Sequence, residues 1–258
     1  MCIAFIAYRH MPELPLVVAA NRDEFYQRPT SPMDFWEDHP GLLAGRDLEA
    51  KGTWLGATRK GRIAFLTNYH EPGKGETGAA SRGQLVSRFL TGVDSVASFG
   101  SSLEAEGQAF NGFNLIYGTL ESLYYYSNRE GGVRPLDPGI HGLSNHMLNT
   151  PWPKVTYGKQ FLADLGQNPQ SWHHEALFRL LASQGKAADH QLPATEIGLP
   201  VERILSSVFI RTPSYGSRCG TVLSIHSDGK VEVQERTYQQ SPDHYETRTF
   251  QYTIDDSH

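Results

Sequence analysis

The sequence predicts an α+β fold, a layered sandwich of antiparallel sheets with segregated helices. Three observations lead there. Short apolar runs separated by turn residues crowd the first half, segments of helical period occupy the middle, and strand-like runs return around a hairpin signal near the end. The regular strand–helix alternation that builds a parallel sheet is missing.

Cys2 to Tyr8 and Leu14 to Ala20 are apolar runs on either side of His10-Met11-Pro12-Glu13, a turn signal. Apolar residues on both faces predict buried central strands. Gly52 to Thr58 and Arg62 to Asn68 flank Arg59-Lys60-Gly61 and form another predicted hairpin. Phe113 to Thr119 and Leu123 to Ser127 are two further strands. Ser81, followed three residues later by Gln84, gives a capping-box signal ahead of the apolar face Leu85, Val86, Phe89 and Leu90. Trp152 to Leu165, Trp172 to Ala182 and Val201 to Val208 are amphipathic helix candidates. Asp228-Gly229, between Thr221–Ile225 and Val231–Val233, is a two-residue hairpin signal. The Gly-rich stretch Tyr69 to Ala80 is a surface excursion or a lid.

Composition narrows the function classes. Lys and Arg total 23 against 28 Asp and Glu, a formal net charge of -5 with no long block of either sign, so neither nucleic acid nor an anionic membrane is indicated as a partner. The two cysteines, Cys2 and Cys219, make no disulfide framework and no zinc-type spacing, which fits a reducing compartment. No basic leader precedes the first apolar run, and no run approaches the roughly 20 apolar residues of a membrane helix. One cytoplasmic domain spanning 1–258, free of membrane segments, is expected.

The chemistry is carried by a convergence. If the first two strands pair antiparallel about a turn near Pro12, residues whose numbers sum to about 24 face each other, and Cys2 lies opposite Arg22. Alternation then places Asn21 and Asp23 on one face and Arg22 and Glu24 on the other. Loss of the initiator Met1 would give Cys2 both a thiol and a free amine, a nucleophile with its own base. A nearby arginine such as Arg22 would lower the thiol pKa, Asp23 would orient the amine or thiol, and Asn21 would donate to an oxyanion. Cys2 alone reads more readily as a small hydrophobe in a first strand, and Arg22 among acids as a structural ion-pair cluster.

Ala20-Asn21-Arg22-Asp23-Glu24-Phe25, with Met1-Cys2-Ile3 before it and Gly52-Thr53-Trp54-Leu55-Gly56 after it, resembles the NRDE family, whose animal members are called transport and Golgi organisation proteins. Gly142-Leu143-Ser144-Asn145, Pro151-Trp152-Pro153-Lys154-Val155, Tyr215-Gly216-Ser217-Arg218 and Thr221-Val222-Leu223 extend the resemblance over most of the chain. More distantly the family is similar to the N-terminal-nucleophile hydrolases that cleave bile-salt and penicillin amides, which implies an αββα layered sandwich. That similarity implies Cys2 as nucleophile, Asn21 and Asp23 as the Asn-x-Asp pair beside it, Asn145 as an oxyanion donor and Arg218 as a cation near the thiol. The chain departs from those hydrolases at Ala20, where they place an arginine, and at Arg22, which sits inside the pair.

The closer resemblance implies handling of a hydrophobic anionic cargo, haem or an acyl-coenzyme A or lipid, with no cofactor required and haem as bound cargo only. Arg22, Glu24, Asn68, His70 and His146 are the candidate ligand-binding residues, and His70, His141 and His146 the candidates for haem iron. The alternative is a cysteine hydrolase acting on a non-peptide amide or thioester. His173-His174-Glu175 reads as a solvated helix face in preference to a metal site, because adjacent residues on a helix point apart. Gly73-Lys74-Gly75-Glu76-Thr77 lacks the phosphate-loop pattern. Cys219 reads as core.

Overall fold

A computed structural model of the chain describes residues 2–71, 80–167, 171–193 and 195–255. The central part of the Tyr69 to Ala80 stretch, with the Gly73 to Thr77 run, lies outside the described residues. Two compact units emerge. The first comprises Met1–Gln27, Pro138–Ser144 and Leu148–Gln251, the second Arg28–Asp137, Asn145–Met147 and Tyr252–His258.

The first unit is built on strands β1 (Cys2–Tyr8) and β2 (Leu16–Phe25), which pair antiparallel with Cys2 opposite Arg22 and Tyr8 opposite Leu16, the predicted register. β2 runs five residues past the apolar segment that announces it. The cause is its position. With β10 (Gly139–Leu143), β11 (Tyr215–Ile225), β12 (Lys230–Ser241) and β13 (His244–Thr253), the sheet order is β10-β1-β2-β11-β12-β13, so β2 has a ladder partner on each side and stays extended through Asn21-Arg22-Asp23-Glu24.

Helix α3 (Pro153–Gly166) packs on β10 and β1, while α4 (His174–Leu181) packs on β11 and β2. Ile3, Phe5, Ala7, Val17, Ala19 and Val222 meet Leu162, Leu177, Phe178 and Leu181 in a dry cluster. A short helix, α5 (Leu199–Leu205), replaces the predicted Val201 to Val208 helix. It stops earlier because Phe209 is drawn into a backbone bond with the Ser183 carbonyl (2.8 Å).

The hairpin joining β11 to β12 is also wider than its two-residue signal. His226 N–H bonds the Lys230 carbonyl and Gly229 N–H bonds that of His226, leaving a three-residue loop closed by Gly229 at φ 83°. A left-handed residue after a tight turn is where glycine costs least.

In the second unit a seven-stranded antiparallel meander keeps sequence order: β3 (Thr30–Phe35), β4 (Leu42–Asp47), β5 (Leu55–Thr58), β6 (Ile63–Asn68), β7 (Phe113–Gly118), β8 (Leu123–Ser127) and β9 (Arg134–Pro135). The β5–β6 hairpin is the one predicted, and the two predicted strands β7 and β8 pair antiparallel as well. Helix α1 (Gly83–Thr91) buries Leu85, Val86, Phe89 and Leu90 as its spacing requires. Its capping box does not form. Arg82 is the N-cap without a side-chain bond, and Ser81 contributes its backbone carbonyl to Gln84 N–H (3.0 Å). Helix α2 (Val96–Glu106), opened by Ser95 accepting from Ser98 N–H, carries only sparse apolar positions and gave no periodic signal.

Candidate functional site

In the first unit the site grows from the polar end of β2. Asn21, Arg22 and Asp23 are buried within a sheet whose neighbouring strands are mostly apolar. Their alternation continues that of the preceding apolar residues, so Asn21 shares the helix-covered face with Val17 and Ala19, while Arg22 shares the opposite face with Cys2.

Asn21 and Asp23 are held differently. The Asn21 amide nitrogen donates to the carbonyls of Leu181 (2.9 Å) and Val208 (3.0 Å), tying β2 to the end of α4 and to the chain beyond α5. Both amide protons are therefore committed, which leaves none for the oxyanion role expected of this residue. Asp23, 2% exposed, accepts a 2.6 Å hydrogen bond from the Ser217 hydroxyl, whose oxygen in turn accepts from Ile210 N–H (3.0 Å). The Tyr215 hydroxyl donates to the Asp23 main-chain carbonyl (3.1 Å). Desolvation pushes the Asp23 pKa up to about 6, against the Ser217 hydrogen bond and the positive charge of Lys154.

A bulge explains where Arg218 goes. Ser217 lies opposite Asp23 and Cys219 opposite Arg22, so Arg218 is the extra residue on β11. Its guanidinium donates to the Phe25 carbonyl (2.8 Å), and the charge of Arg22 acts on it. Glu24 accepts from the Phe25 main-chain N–H (2.9 Å). Cys219 is buried, as its core reading requires.

Cys2 is half-buried as a residue, but its thiol is desolvated and its pKa raised by that burial. The Asp23 carboxylate raises it further, while a hydrogen bond with the Asp23 backbone and the charge of Arg22 work the other way. The protonated thiol is favoured at neutral pH.

The remaining sequence-predicted residues gather in the second unit. The Asn145 side chain donates to the Asn68 carbonyl (2.9 Å), and the Asn145 carbonyl accepts from His70 N–H (2.8 Å). His146 lies against the Tyr69 ring, centroids 5.0 Å apart, and its carbonyl accepts from Asn114 (2.9 Å). His141, in the first unit, meets the Asn149 amide at 3.0 Å. Thus Cys2, Asn21, Arg22, Asp23, Glu24 and Arg218 converge in one unit, and Asn68, His70, Asn145 and His146 in the other.

His173-His174-Glu175 has ordinary work. His173 caps α4 by accepting from Ala176 N–H (3.1 Å), His174 bonds Ser224 (2.9 Å), and Glu175 pairs with Arg236. Among the described residues no cluster of three or more His, Cys, Asp or Glu could hold a metal ion. None of their helices is long and apolar enough to cross a membrane.

Three participants, Ser217, Tyr215 and Lys154, stood in the sequence only within family signatures and were given no role at the site. Lys154, 5% exposed on α3, donates to the Leu205 carbonyl (2.8 Å). Burial lowers its pKa, and the negative charges of Asp23 and Glu202 oppose that. Its signal was periodic: Lys154, Gly158 and Leu162 form an i, i+4 stripe, and all are buried.

This α+β arrangement of two antiparallel sheets with their helices is the N-terminal-nucleophile-hydrolase fold. An N-acylethanolamine-hydrolyzing acid amidase ortholog from Caenorhabditis elegans aligns over 86% of this chain and 92% of its own, with TM-score 0.50 and 11% identity, and shows the fold alone. The chain belongs to the family described as Transport and Golgi organisation 2, whose model matches residues 1–240. The Homo sapiens Transport and Golgi organization protein 2 homolog is 38% identical, covering 98% of this chain and 99% of its own. The Drosophila melanogaster Transport and Golgi organization protein 2 is 25% identical over 92% of each.

Proposed function

We propose that this chain handles a hydrophobic anionic cargo in the cytoplasm, haem first and an acyl-coenzyme A or lipid second, at the region of Cys2 and Asn21-Arg22-Asp23-Glu24. The observation that carries the reading is geometric: Arg22 lies opposite Cys2 on the β1–β2 ladder and opposite Cys219, next to the bulged Arg218, on the β2–β11 ladder, and the burial that raises the Cys2 thiol pKa agrees with it. The commitment of both Asn21 amide protons to main-chain carbonyls points the same way, since it removes one oxyanion donor. Arg218, the bulged residue of β11, and Arg22 on the paired strand supply positive charge suited to an anionic group. Membership of a family named for transport agrees with cargo handling.

The second reading is a cysteine hydrolase of a non-peptide amide or thioester, favoured by the fold and by Cys2 at the start of β1. Release of Met1 would then supply the amine base. Titration of purified protein with haemin and with palmitoyl-coenzyme A separates the two readings. Reversible binding that survives Cys2→Ala is expected, and absence of binding to both overturns the cargo reading. A Cys2-linked acyl adduct, seen by intact mass and turned over at a catalytic rate, establishes the hydrolase instead.

A further inference from the structure

Lys154 is a buried cation with too few partners. Among the described residues it makes no ion pair, and one main-chain carbonyl accepts from its Nζ. An ammonium has three N–H donors, so two lack an acceptor, and a buried charge normally persists only when paired. Asp23 and Glu202 act on it electrostatically.

Lys154 also lines a cleft of about 280 Å³ in the first unit, on the side of α3 and the chain that follows α4. Val208 and the Tyr157 ring give the cleft apolar surface, Ser183 adds a hydroxyl, and the exposed Lys186 adds a second positive charge. Ser206 is already engaged, accepting from Ala187 N–H and donating to the Arg203 carbonyl. Among the described residues no carboxylate lines the cleft. Two cations, a free hydroxyl and an apolar wall, without an opposing acid, form a site for an oxyanion on a small body.

We propose that this cleft binds a small organic oxyanion, a carboxylate or phosphate head on a short apolar body, through the Lys154 ammonium. The cleft borders the cargo region, since the charges of Asp23 and Cys2 act on Lys154 and the Val208 carbonyl accepts from Asn21, but the proposal requires neither binding nor reactivity at Cys2. Its size suits a compact metabolite, and the deep ammonium sets the charge while Tyr157 and Val208 meet the body.

Thermal unfolding of the full chain with sodium butyrate or inorganic phosphate, against sodium chloride at matched ionic strength, tests it. A saturable rise in Tm of about 2–4 °C is expected with at least one probe, since a ligand bound only to the folded state stabilises it. Lys154→Met should abolish the rise. Ala187→Trp, which fills the cleft and leaves Lys154 in place, should abolish it too and covers the case in which Lys154→Met fails to fold. No rise with either anion, or an equal rise in Ala187→Trp, overturns the proposal. A butyrate response without a phosphate response assigns a carboxylate head, and the reverse assigns a phosphate head.

Discussion

The two sheets of this molecule bury their central strands by opposite means. In the second unit the face covered by α1 and α2 is aromatic and dry: Phe89, Phe99 and Tyr117 meet pairwise with ring centroids 4.9, 5.2 and 5.1 Å apart, beside Phe113 and Tyr126. In the first unit the innermost pair of strands carries Asn21, Arg22, Asp23 and Ser217, of which Asn21, Asp23 and Ser217 are tied by side-chain hydrogen bonds. Apolar packing needs only volume and shape, whereas buried polar groups need a matched acceptor or donor at each atom. A run of buried polar residues in an otherwise apolar strand marks a place where chemistry outranks packing.

Phe89→Ala probes the dry side and should have the largest effect. Removing a fully buried ring from contact with Phe99 and Tyr117 leaves a cavity and should cost about 3–5 kcal/mol by urea unfolding. A loss below about 1 kcal/mol would show that this cluster is not the tight core described.

Asn21→Ala probes the polar side. It strips the Leu181 and Val208 carbonyls of their shared donor in a buried setting, so a loss of about 2–3 kcal/mol is expected. If Asn21→Ala is neutral, those hydrogen bonds are dispensable and the contrast between the sheets fails at this residue.

Asp23→Asn should have the smallest effect and the opposite sign. The Asp23 carboxyl titrates at about 6 when folded and near 3.8 when unfolded, so it is protonated in both states at lower pH. Between the two values the folded chain keeps a proton that the unfolded chain has released, and stability contributed by this group falls as pH rises through that window. Asparagine cannot ionise, so the variant should gain on the wild type from about pH 4 to about pH 6 and level off above that. With each tenfold change in proton affinity worth about 1.4 kcal/mol, the two values imply a gain of about 3 kcal/mol. The amide N–H groups of asparagine need buried acceptors of their own, which brings the expected gain down to about 2 kcal/mol. Urea unfolding at pH 4 and pH 7.5 measures the change. A difference independent of pH would mean that Asp23 is already stabilised as a carboxylate.

Much of the site was legible because its first contacts are local. A short turn after Tyr8 leaves β1 and β2 little freedom, and alternation then fixes Cys2 opposite Arg22 with Asn21 and Asp23 on the other face. The strands β3 and β4 were missed because charged and small residues interrupt their apolar period, and α2 because Val96, Phe99 and Leu103 are too few to make a stripe. The capping box failed for a similar reason: its two residues were present, but the chain entered α1 through a backbone turn.

The α+β class, the β1–β2 register and the buried polar run follow from residue order, since period-2 alternation and a short turn are properties of neighbouring residues. Residue order also puts Lys154 on the buried stripe of α3, without saying what that charge meets. Long-range packing alone brings Ser217 to Asp23 across 194 positions, ejects Arg218 at a bulge toward Phe25, and sets Lys154 in a cleft without an acid. These depend on which distant strand lies beside β2 and on one inserted residue, and a one-residue change of register turns every side chain to the other face.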